Sequence, residues 1–101
     1  MLPSNRISTH PGQFLNEDFL IPLGISQSAL ARHIGVNPRV INEICRGKRS
    51  ISPRMAQLLE GALGMSAEFW MNAQSAYDLT RHRLNQSEVP SQMPQLTTPQ
   101  A

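Results

Sequence analysis

The sequence predicts an all-α domain of five short helices followed by a flexible C-terminal tail, and three observations carry that prediction. Pro and Gly recur at short intervals and leave helix-length segments between them, opened by residues able to cap a helix: Ser26, Asn37, Ser52 and Ser66. Within these segments apolar residues return every three or four positions, the period of an α-helix. No stretch carries a defensible strand pattern, apart from a short extended piece near Met1 to Ser8.

Taken in order, the first helix runs from Pro11 to about Leu20, with Phe14 and Phe19 inward and Leu15 beside them, and is ended by Pro22 and Gly24. The second opens on the cap Ser26 and runs from Gln27 to Ile34, where Gly35 stops it. The third has Asn37 as cap and Pro38 at its first position, and it runs to Arg46 before Gly47. The fourth repeats that grammar with Ser52, Pro53 and Gly64. The fifth starts after Ser66 and continues through Phe69, Trp70, Ala73, Ala76 and Tyr77 to Leu84, with Glu68 favourably placed in the positive first turn. Residues 85–101 then hold three prolines and four glutamines and no aromatic residue, a composition for a flexible tail. The expected division is a folded domain over residues 1–84 and a tail over 85–101.

Length and composition exclude several classes. A chain of 101 residues holds one domain with a modest core. No apolar run approaches the roughly 18 residues that span a membrane. Met1 to His10 has Arg6 but no apolar signal core, so the expected compartment is the cytoplasm. The single Cys45 admits no internal disulfide. The net charge of +2 conceals a strong asymmetry: from Arg32 to Arg54 the chain carries six basic residues against Glu43 alone, a net +5, while the remainder is −3. A charge focused in this way fits a surface that meets phosphates.

The run from Gln27 to Ile44 reads as a helix-turn-helix. Two short helices that cross steeply over a tight turn need a small residue at the crossing, supplied by Ala31, and a left-handed residue at the turn, supplied by Gly35. Leu30, Ile34, Val36, Ile41 and Ile44 are the apolar positions that bury the pair. The remaining face of the second helix carries Asn37, Arg39, Val40, Asn42 and Arg46. Arg gives two hydrogen bonds to guanine and Asn two to adenine, so this face suits the DNA major groove. Gln27 lies at the start of the supporting helix, where free N–H groups hold a phosphate. Lys48 and Arg49 follow the helix and would grip the backbone.

The chain resembles the HigA/VapI group of antitoxins within the Xre-type, phage-repressor-like helix-turn-helix family. The resemblance lies in His10-Pro-Gly12, Phe19 to Ser26, Leu30 to Val36, Ile41 to Ser52, Ala56 to Leu59, Leu63-Gly64, Ser66 to Asn72, Gln74 and Tyr77 to Leu79, and it covers roughly residues 8–84. It implies a five-helix domain that dimerises on a palindromic operator of double-stranded DNA and represses its own operon. It also implies a HigB-type toxin partner, an mRNA endonuclease that the antitoxin neutralises. The DNA-reading positions of the family fall on Asn37, Pro38, Arg39 and Asn42, and its phosphate-gripping positions on Gln27, Arg46, Lys48 and Arg49. Pro38 departs from related repressors that use a polar residue there. A stand-alone Xre-family repressor without a toxin is the alternative. A pure protein-interaction module is disfavoured by the basic cluster.

The smaller signals are bland. His10, His33 and His82 lack ligand spacing, so no metal and no cofactor is expected. No nucleophile and base are paired, and the chain does not read as an enzyme. Cys45 is expected to be small and partly buried. Trp70, Tyr77 and Leu84 share one face of the fifth helix, which makes them the expected dimer seam, with Phe69 and Ala73 in the core.

Overall fold

The computed structural model describes residues 9–85 and 90–97. Helix α1 is composite: Pro11–Phe14, a wider π-helical stretch Leu15–Leu20, and Ile21–Leu23. It is followed by α2 (Gln27–Ile34), α3 (Pro38–Cys45), α4 (Pro53–Leu63) and α5 (Ala67–Asn85). A single helical turn, α6 (Pro94–Thr97), lies in the expected tail, so that segment is not structureless throughout. Among the described residues there is no strand. The extended piece expected near Met1 to Ser8, and residues 86–89 and 98–101 of the tail, lie outside the described residues.

The caps behave as their chemistry requires. The hydroxyls of Ser26, Ser52 and Ser66 accept from the N–H groups of Ala29, Met55 and Phe69, and Asn37 Oδ1 accepts from Arg39. Gly35 sits at φ 77°, and the N–H of Val36 returns to Ala31 O at 2.9 Å, which closes α2 and turns the chain into α3.

The first helix was expected to run to about Leu20 and end at Pro22 and Gly24, and helical structure continues past Pro22 to Leu23. A proline inside an α-helix removes a donor and pushes its ring against the carbonyl four residues back. Here the preceding turn is widened: Ile21 donates to Asn16 O, five residues back. The wider turn relieves that clash, and Gly24 is the actual stop. Leu15 and Leu20 are fully buried, while Phe14 and Phe19 are only half-buried and tilt against Phe69 and Trp70.

Trp70 differs from expectation in the same direction. It has no exposed surface, being enclosed by Phe19 and Phe69 with ring centroids 5.5 and 5.0 Å away. It is a core residue and has no surface to offer a dimer seam. The first part of α1 packs on α5, and Phe19 of the π-helical stretch covers Trp70; further along the same face Leu84 is open. The indole N–H of Trp70 is buried without an acceptor. The rest of the core is Leu30 and Ala31 of α2, Ile41 and Ile44 of α3, Ile51 in the following loop, and Met55, Ala56 and Leu59 of α4.

Candidate nucleic-acid interface

Helix α3 has two unlike sides. At 100° per residue, Arg39, Asn42, Glu43 and Arg46 fall within an arc of about 100°, opposite Ile41 and Ile44. Those two isoleucines are completely buried, and they fix the roll of the helix. Asn37, Pro38, Arg39, Asn42 and Arg46 are all exposed. Val40, placed on the outer face by the sequence, is half-buried against the core instead, since it lies between the two arcs.

The polar side chains are already organised. Asn37 Oδ1 accepts the N–H of Arg39 at 2.8 Å, and its Nδ2 stays available to donate. Arg39 reaches along the helix to Glu43, Nε to Oε2 at 3.2 Å. Arg49, from the turn after α3, holds the other oxygen of that carboxylate through Nε at 2.8 Å and Nη2 at 2.7 Å. Glu43 thus bridges an expected base-reading arginine and an expected phosphate-gripping one. The hydrogen bonds from Arg49 and then Arg39 hold its carboxyl below the usual range. Its backbone carbonyl accepts the N–H of Lys48 at 2.8 Å, which tethers the basic turn a second time.

The Gln27 side chain is engaged within the motif. Its Oε1 accepts from Asn42 Nδ2 at 3.1 Å, and its Nε2 points to Asn16 Oδ1 at 3.5 Å. The side chain links the two helices of the motif and orients Asn42. Arg46 caps the end of α3, and Lys48 and Arg49 project from the turn beyond it, both exposed.

Three residues that sequence reasoning left without a role hold this surface in place. Gly12 lies where α1 meets the end of α3, and a Cβ there would land on the Ile44 carbonyl. His10 caps α1 by accepting the Gly12 N–H on Nδ1 at 2.9 Å. Its ring meets Tyr77 edge-on at 4.7 Å and lies beside Gly47. Accepting through Nδ1 requires the neutral ring, and burial, only partly offset by Asp78, pushes the His10 pKa down. Gln74, buried on α5, accepts the Ile51 N–H at 2.8 Å and donates to Asp78, so it pins the loop that follows the basic turn. A polar residue one turn past Trp70, on the same face, was the available signal.

Cys45 is half-buried, as expected. Desolvation raises its thiol to about 11, and a reactive thiolate is suppressed at neutral pH. Tyr77 is half-buried, and Leu84 is 44% exposed. Among the described residues no three His, Cys, Asp or Glu side chains gather as a metal site would require, and no helix is long and apolar enough to cross a membrane.

Comparison with known proteins places this surface in context. The helix-turn-helix family profile matches residues 17–70. Virulence-associated protein I of Dichelobacter nodosus is 46% identical over 70 residues, 69% of this chain and 65% of that protein's length. Antitoxin HigA-1 of Vibrio cholerae is 38% identical over 85 residues, 82% of this chain and 80% of that protein. The Pseudomonas aeruginosa antitoxin HigA, solved with the higBA promoter, superposes with a TM-score of 0.72 at 44% identity, covering 76% of this chain and 85% of that one. The chain therefore belongs to the helix-turn-helix family, in the group that contains the HigA antitoxins.

Proposed function

We propose that this chain is a sequence-specific DNA-binding antitoxin that represses its own operon and neutralises a HigB-type mRNA endonuclease. The observation that carries the DNA-binding part is the outer face of α3. It projects Arg39 and Asn42 from a helix rolled into place by Ile41 and Ile44, with the basic turn Arg46 to Arg49 beside it. Arg39, Asn42, the Asn37 amide and the surface of Pro38 read bases. Arg46, Lys48, Arg49 and the start of α2 at Gln27 hold phosphates. A homodimer, joined along the exposed continuation of α5 at Tyr77 and Leu84, would present two such helices to half-sites about 34–36 Å apart. Residues 1–84 form the working unit, residues 85–101 are an appendage, and the protein acts in the cytoplasm with no catalytic step of its own. The antitoxin part rests on kinship with the HigA proteins.

The test is binding to the DNA upstream of its own gene. Arg39→Ala should cost about 1–3 kcal/mol on that DNA and relax base preference. Lys48→Ala should weaken all duplexes alike and reduce the salt slope by about 1. Normal binding by both variants refutes the interface. A stand-alone repressor would bind identically, and co-purification with the product of the adjacent reading frame separates the two. Sedimentation of the free chain decides the dimer.

A further inference from the structure

We propose that Glu43 is a specificity-determining residue that aims Arg39 and Arg49 and penalises DNA of the wrong sequence. The inference rests on the DNA-binding reading above and concerns the same surface.

The geometry is specific. One carboxylate gives one oxygen to each arginine, at 3.2 Å for Arg39 and 2.7 Å for Arg49. The arginines come from different elements, and the acid is the sole negative side chain between Arg32 and Arg54. Its own side chain is 27% exposed, whereas that of Arg39 is 81% exposed. Together the three groups carry +1 where two unpaired arginines would carry +2.

The consequence for recognition follows from where each arginine can go. Glu43 takes the Nε of Arg39 and leaves both Nη groups to donate to a base edge. Opposite guanine these make two charge-assisted hydrogen bonds while Glu43 still holds Nε. Opposite another base those bonds are not made, and nothing offsets the repulsion between the carboxylate and the nearby phosphates. Arg49 keeps its bond in both cases and is aimed by it. Discrimination thus arises partly from a repulsive element that penalises wrong partners.

The experiment uses the full chain, Glu43→Gln and Glu43→Asp, with two probes: a duplex of the DNA upstream of its own gene and a scrambled duplex of equal length. Binding is measured from about 50 to about 200 mM salt. Glu43→Gln is expected to bind the scrambled duplex about threefold to tenfold more tightly, with a salt slope steeper by up to about 0.9, while the gain on the upstream duplex is smaller. Selectivity therefore falls. Glu43→Asp keeps the charge and should keep the weak binding to scrambled DNA. Unchanged selectivity and slope in Glu43→Gln overturn the proposal. So does an equal loss of binding in both variants, or failure of Glu43→Gln to fold, since either makes Glu43 a support for the helix. If the unaltered chain shows no salt-dependent binding to either duplex, the DNA-binding reading itself fails.

Discussion

The two sides of α3 follow opposite rules. On the inner side Ile41 and Ile44 have no exposed surface, and the Ile44 carbonyl leaves no room for a side chain at position 12. On the outer side Asn37, Arg39 and Asn42 are exposed and are held by single hydrogen bonds to Arg39 N, Glu43 and Gln27. Close packing fixes where the helix lies and tolerates no added atom. Exposed hydrogen bonds are individually weak, so the outer groups can exchange their partners for those of a ligand. Pose is therefore set by one side of the helix, and on the proposed DNA-binding reading recognition is set by the other.

The sharpest way to break this division is Gly12→Ala. The new methyl must displace the backbone of Ile44, and denaturant unfolding should show a loss of about 3 kcal/mol, with operator binding lost in proportion to the unfolded fraction. A variant that stays stable would mean α1 can shift without consequence for α3. Gln27→Ala tests the outer side. It removes the acceptor that orients Asn42, and it should weaken binding by about 1 kcal/mol while the melting temperature hardly moves. A large stability change would place Gln27 among the packing residues.

The smallest effect belongs to His10. Its pKa is depressed in the folded chain, so the folded state takes up a proton less readily than the unfolded one. Stability is then full above the unfolded value of about 6.5 and declines as the pH falls below it. Thermal unfolding at about pH 7.5 and about pH 5.5 should show that decline, and His10→Asn, a cap that does not titrate, should remove this contribution. An identical pH response in both proteins would show that the cap does not sense protonation.

Residues whose effect is local were readable without the structure. Ser26, Asn37, Ser52 and Ser66 cap because a short side-chain acceptor meets an N–H two or three residues on. Leu30, Ala31, Ile41 and Ile44 are buried because their spacing puts them on one side of short helices. The residues that differed from expectation depend on neighbours distant in sequence. Trp70 is core because α1 covers that part of α5, and periodicity alone could not distinguish it from Leu84 on the same face. Glu43 could have been paired with Arg39 from its i, i+4 spacing, but Arg49 reaches it only because the turn after α3 folds back.

The sequence by itself therefore determined the five helices, their caps and stops, the helix-turn-helix and the concentration of positive charge, because each depends on residues a few positions apart. Tertiary structure decided the rest. It carried α1 past Pro22 through a widened turn, enclosed Trp70, and made His10, Gly12 and Gln74 the supports of α3 and its loop. It also joined Arg39, Glu43 and Arg49 into one ion-paired group. Packing between distant segments sets all of these, and no local spacing encodes which segments meet.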